Sequence, residues 1–176
     1  FNIANDCLVD KYDVGDYRKI ILPMMVIRRL DALLESTKEK VLALSKKDAT
    51  DNELCCAAGQ AFYNTSPFTL QKLRASTSGQ TLRADFEEYL DGFSPNVREI
   101  IEKFGFKNQL DKLQEDKILG AVIDKFTNLD IEITTLDNHT MGTVFEEVIR
   151  RFNEETNVTD AGRHFTPRDI VRLVTD

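Results

Sequence analysis

Residues 17–34 read YRKIILPMMVIRRLDALL. Apolar side chains at Tyr17, Ile20, Ile21, Leu22, Met24, Met25, Val26, Ile27, Leu30, Leu33 and Leu34 cover most of a helical circumference, so this segment is predicted to be a central, heavily buried helix. Asp16, preceded by Gly15, is placed to cap it. Pro23 removes one backbone donor and predicts a kink near Lys19–Pro23. The densest part, Ile20–Ile27, is bracketed by Arg18–Lys19 and Arg28–Arg29, and no stretch reaches the ~18–20 uncharged apolar residues of a membrane span.

Working outward, helical signals recur on both sides. Ser36–Leu44 is lysine-rich and predicted to be more exposed. Thr50-Asp51-Asn52-Glu53 has the form of a capping box opening a short helix to about Phe62, which the polar run Asn64-Thr65-Ser66-Pro67 ends. Ser76–Gly79 reads as a loop tip, Thr81–Leu90 as a helix, and Asp91-Gly92 as its break. Ser94-Pro95 starts the next helix with proline at its first position, and Gly105 closes it. Ile118, Leu119, Val122, Ile123 and Phe126 repeat the pattern. Met141, Val144, Phe145, Val148, Ile149 and Phe152 give the cleanest i, i+3, i+4, i+7 stripe. Only Leu129–Thr135 looks strand-like, and it has no evident partner. The expected fold is all-α, an irregular helical bundle whose core includes Ile20, Met24, Ile27, Leu30, Val144, Phe145 and Val148.

Composition narrows the chemistry. The 176 residues are 41% apolar and 30% charged, the balance of one globular domain large enough to need no disulfide or metal staple. Cys7, Cys55 and Cys56 have neither disulfide nor zinc-site spacing and read as thiols of a reducing compartment. Polar Asn2, Asn5, Asp6 and Asp10 give residues 1–10 no secretory-signal character, so a cytoplasmic location is expected. The net charge of −7 gives no global argument for nucleic acid, yet residues 16–47 carry a local excess of +4. Phosphate contacts need only such a patch, so Arg28, Arg29, Lys38, Lys46 and Lys47 are the candidate DNA contacts, with a solvated face or a subunit contact as the alternative reading of the same residues. Phosphate-loop, nucleophile-elbow and zinc-helix motifs are absent, and neighbouring carboxylates such as Glu146–Glu147 diverge on a helix by ~100° and cannot act as a dyad. No catalytic residue and no metal ligand is assigned.

Residues 160–169, DAGRHFTPRD, form the most distinctive segment. Thr166 is a helix N-cap, Pro167 takes the first helical position, and Asp169 sits in the first turn. A glycine-entered loop leading into a helix N-terminus can seat a ligand carboxylate, though a plain helix start has the same residues.

Met141–Phe152 followed by Ala161-Gly162-Arg163-His164-Phe165-Thr166-Pro167-Arg168 resembles the modification (M) subunit of type I restriction–modification systems. Tyr17–Leu34, Phe62–Ser66 and Gly92–Val97 also have counterparts there, so the resemblance spans nearly the whole chain. It implies a DNA N6-adenine methyltransferase using S-adenosylmethionine, with Arg163, His164, Phe165, Thr166, Pro167 and Arg168 in the cofactor-binding segment. It further implies a specificity subunit, a restriction subunit, a second M subunit and double-stranded DNA as partners. Residues 1–135 would be the N-terminal helical domain. Residues 136–176 would be a connecting helix and the leading segment of an α/β methyltransferase domain whose remainder is missing here. The family's glycine-rich D-P-x-x-G-x-G and catalytic N-P-P-[FY] motifs do not occur in these residues, so the 176-residue chain is expected to be inactive alone and to bind the cofactor weakly or not at all. The alternative is a stand-alone helical interaction or DNA-binding module, which the gene sequence beyond residue 176 would distinguish.

Overall fold

The computed structural model of the chain describes residues 6–8, 12, 14–75, 81–129 and 137–157. Among these, nine α-helices and one 3-10 turn follow one another without a strand, as the all-α reading requires. Helix α1 is Val14–Leu34, continued by the 3-10 turn Glu35–Thr37 into α2, Lys38–Ser45. Then come α3 (Asp51–Ala58), α4 (Leu70–Ala75), α5 (Leu82–Asp91), α6 (Pro95–Lys103), α7 (Lys107–Glu115), α8 (Leu119–Thr127) and α9 (Asn138–Asn157). Residues 6–8 are also helical.

Helix α1 runs through the middle, with Ile20, Met24 and Ile27 fully enclosed and Tyr17, Ile21, Met25 and Leu34 buried around them. It packs against α8 and α9, while α4 bridges α5 and α8 and α7 closes over the same pair. Pro23 lies inside α1, which continues through it. The helix starts at Val14, so Asp16 is in its first turn rather than at the cap. There it favours the positive helix end and holds Lys19 Nζ at 2.6 Å. Helix α5 supplies the aromatic centre, because Leu82, Phe86, Tyr89 and Leu90 share one buried face. Phe86 meets Phe106 edge-on at 6.0 Å, and Tyr89 meets Phe93 at 5.2 Å. Each such enclosed side chain contributes about 1.5–3 kcal/mol.

Helix ends follow the local chemistry. The Thr50–Glu53 capping box forms, with Thr50 N donating to Glu53 Oε2 at 2.8 Å and Glu53 N donating to Thr50 Oγ1 at 3.4 Å. Helix α3 nevertheless stops at Ala58, before Phe62, because Gly59 turns left-handed with φ 65° and its N–H returns to Cys55 and Cys56 carbonyls. Pro95 begins α6 and Gly105, φ 63°, follows its end. Two helices, Leu70–Ala75 and Lys107–Glu115, lie where the sequence has no periodic stripe. Each buries only two residues of its own, Leu70 with Leu73 and Leu110 with Leu113, too few to mark a face.

The α9 stripe is less buried than its periodicity predicts. Met141 is enclosed, but Val144 and Val148 are half-buried and Ile149 is 41% exposed, since α9 lies along one side of α1 rather than between layers. Leu30 is likewise half-buried. The side chain of Phe145 and the strand-like stretch after Leu129 lie outside the described residues.

A close backbone approach joins two segments far apart in sequence. Asn64 forms an isolated antiparallel bridge with Phe93. Thr65 N donates to Gly92 O at 2.8 Å and Ser94 N to Tyr63 O at 3.0 Å. A Cβ on Gly92 would meet the Cβ and backbone N of Ser66 at 2.6 Å. Gly92→Ala should therefore lower stability by about 1–3 kcal/mol, the usual cost of overpacking. Gly120→Ala, whose Cβ would meet Leu82 at an ordinary 3.5 Å, should be neutral or stabilising. Urea unfolding of both variants checks the contrast, and equal midpoints would contradict the close approach.

Candidate functional site

The described residues hold one concentrated group of buried polar side chains, where α1, α2, α5 and the 63–66 segment meet. Asn64 is 2% exposed. Its Oδ1 accepts from Lys38 Nζ and from Ser66 N, both at 2.8 Å, and its Nδ2 donates to Tyr89 O at 2.9 Å. One short amide thereby ties α2 to α5 and shapes its own turn. Lys38 stands 5.9 Å from the centre of the Tyr89 ring. The Tyr89 hydroxyl donates to Asp31 Oδ1 on α1 at 2.7 Å, and Leu70 N donates to the same oxygen at 3.4 Å.

Electrostatics follow from this enclosure. Burial pushes the Asp31 carboxyl up, opposed by the Tyr89 and Leu70 hydrogen bonds and by Lys38 and Arg28. Burial also pulls the Lys38 amine down to about 8, with Asp31 and Glu39 favouring its charge and Lys72 opposing it. Burial, reinforced by Asp31, holds the Tyr89 phenol far above its ordinary range. The amine is only 6% exposed and is engaged by Asn64, so it joins helices rather than meeting a substrate.

This placement corrects the candidate DNA contacts. Lys38 is enclosed, because its ammonium finds Asn64 26 residues away and stands over the Tyr89 ring. Arg28 and Arg29 are half-buried, and Arg28 lines a cleft that also holds Asp31 and Glu35. Lys46 and Lys47 are exposed just beyond α2, in the same chain segment as exposed Lys40. The residues predicted to bind the cofactor, Arg163, His164, Phe165, Thr166, Pro167 and Arg168, lie outside the described residues. The polar junction of Asp31, Lys38, Asn64 and Tyr89 is not foreshadowed by any sequence motif. Its one visible sign is the acid at position 31 within a largely apolar helix.

These features define a class, an all-α domain whose buried polar side chains join helix to helix. The family model of the HsdM N-terminal domain matches residues 1–126, well over half the chain. The chain belongs to this family, the N-terminal domain of the type I restriction–modification M subunit, which is a methyltransferase subunit. No curated protein and no solved structure matches it. The matched range contains every residue of the polar junction and both paired segments, Tyr63–Ser66 and Gly92–Ser94. Among the described residues, no helix is long and apolar enough to cross a membrane.

The depressed Lys38 amine makes a signed prediction. Between pH about 8, where the folded amine loses its proton, and the ordinary 10.5, the unfolded chain holds the extra proton. Stability supplied through this group must therefore rise with pH across that window. Against Lys38→Met, the wild type should gain relative stability from about pH 8 to about pH 10 in urea unfolding. A difference that stays flat, or falls, contradicts the burial of a charged amine at this junction.

Proposed function

We propose that this chain serves DNA engagement and subunit assembly in a site-specific DNA N6-adenine methyltransferase that uses S-adenosylmethionine. The observation that carries this reading is the family match over residues 1–126. The proposed partners are a specificity subunit, a restriction subunit, a second M subunit and double-stranded DNA, in the cytoplasm. The proposed division places the N-terminal helical domain in residues 1–135 and the start of the methyltransferase domain in 136–176.

The cofactor reading is supported by the sequence Phe165-Thr166-Pro167-Arg168, with Arg163 and His164 just ahead of it. A threonine at a helix start followed by proline suits a carboxylate, the group the methionine portion of the cofactor presents. Within a complete M subunit these residues would hold that portion.

The DNA reading is supported by Lys46 and Lys47, which are solvent-exposed at the end of α2 and lie in the segment with the local positive excess. Exposed lysines of this kind act on phosphates as point charges and carry no base information. The test is a Lys46→Glu/Lys47→Glu M subunit assembled with its specificity subunit. DNA affinity should fall across sequences alike, and the slope of log K against log salt should shrink by about 0.9 for each phosphate that is no longer neutralised. Unchanged affinity and slope would remove these lysines from the DNA interface.

A further inference from the structure

A cleft of about 420 Å3 opens between the C-terminal half of α1, the start of α4 and the end of α8. That volume is within the usual range of ligand sites, about 300–1,000 Å3. Arg28 and Asp31 contribute from α1 and Glu35 from the 3-10 turn that continues it, at spacings close to one helix face. Thr69, Gln71 and Asn128 contribute hydroxyl and amide groups opposite them.

The cleft leaves one donor unpaired. Arg28 Nε is buried and has no hydrogen-bond partner. A buried donor left unpaired is costly, and more so on a charged group, so its presence in a native fold asks for an explanation. Its neighbours do not supply one. Asp31 attracts Arg28 through charge, but it turns its Oδ1 inward to Tyr89 and Leu70 N rather than to the Arg28 Nε. Arg74, the other cation of the cleft wall, already has its Nε on Asp124 at 2.6 Å. The Arg28 guanidinium, which lines the cleft and has its Nε unpaired, is thus the group suited to an incoming anion, since such forks match carboxylates and phosphates.

The surroundings choose between those two. A nucleic-acid backbone brings a row of phosphates and would have to pass Asp31 and Glu35. A single carboxylate can sit on Arg28 while a nearby cation faces exposed Glu35. Two helical turns separate these residues, about 10 Å along the helix axis. Four extended residues span a similar distance, and Thr69, Gln71 and Asn128 can bond peptide groups between the two charges.

We propose that this cleft docks a protein segment that places an acidic side chain on Arg28 and a basic side chain about three residues away beside Glu35. The inference stands on the cleft alone and does not depend on the assembly or cofactor readings above.

The test uses the isotopically labelled 176-residue chain and the peptide acetyl-Glu-Ala-Ala-Lys-amide, followed by nuclear magnetic resonance. The Arg28 Nε–H and the side-chain amides of Gln71 and Asn128 should shift together and saturably. Replacing the peptide's Glu by Gln, or introducing Arg28→Gln, should weaken binding by about tenfold or more. Arg28→Lys keeps the charge but loses the fork, and it should fall between. A second measurement, thermal unfolding, should find Arg28→Met at least as stable as the wild type, because Met places no donor there. Lys46→Glu should leave peptide binding unchanged. Inorganic phosphate or a DNA duplex shifting these resonances more strongly than the peptide would overturn the proposal. So would the absence of any shift, or equal binding by the Glu and Gln peptides.

Discussion

The carboxamide of Asn64 is the constraint on which the arrangement of helices depends. It is enclosed, and three groups from different parts of the chain use it: the Lys38 ammonium, the Ser66 N–H and the Tyr89 carbonyl. A neutral amide of this size can accept twice and donate from one position, which an ionised Asp, an acceptor only, cannot do. Removing it would leave a peptide N–H unpaired and the Lys38 ammonium with only the longer 3.4 Å bond to Asn64 O, and unpaired buried groups cost about 1–3 kcal/mol each. Apolar packing gives the bundle most of its stability, but it is non-directional. The Asn64 bonds add direction, fixing how α2 and α5 sit relative to one another.

The same network explains why two distant segments travel together. Tyr63–Ser66 and Gly92–Ser94 exchange backbone bonds. The approach is close enough that a Cβ at position 92 would force Ser66 or Asn64 to shift. Ser94 then does two jobs, since its Oγ accepts from Tyr63 N at 3.4 Å and donates to Asn96 Oδ1 at 2.6 Å at the start of α6. Tyr63 in turn donates its hydroxyl to Asp51 at 2.5 Å, carrying the linkage to α3. Charge on the outside is handled differently. On α9, Glu147 accepts from both Arg150 and Arg151, and these guanidiniums hold its carboxyl down at about 2. Those pairs are solvated and screened, so they decorate the helix without fixing its place.

How much of this the sequence displays depends on how local the cause is. The buried α1, the Thr50 capping box and the Pro95 helix start are legible because their causes lie within a few residues. The end of α3 at Gly59 is a local signal too, but the apolar residues beyond it, Ala61 and Phe62, invite a longer helix. Asp16 resembles a cap only while the start of α1 is unknown. Helices α4 and α7 are short and each buries two leucines, so periodicity has little to work on. Lys38 is the instructive case. In sequence it belongs to a lysine-rich, outward-facing stretch, and its partner Asn64 is 26 residues away. Only folding brings the amide, the amine and the Tyr89 ring together. The orphaned Nε of Arg28 is equally invisible in sequence, where Asp31 and Glu35 look like ready partners.

Hydrogen exchange at individual backbone amides measures the central claim directly. The N–H groups of Thr65, Ser66 and Ser94 are in segments without regular secondary structure, where exchange is ordinarily fast. If the Asn64 junction organises the bundle, these amides should exchange as slowly as those in the middle of α1 and α5, opening only with global unfolding. Replacing Asn64 by Leu should release the three together while leaving helical circular dichroism in place. Fast exchange of the three amides in the unaltered protein, at rates typical of surface loops, would contradict the account.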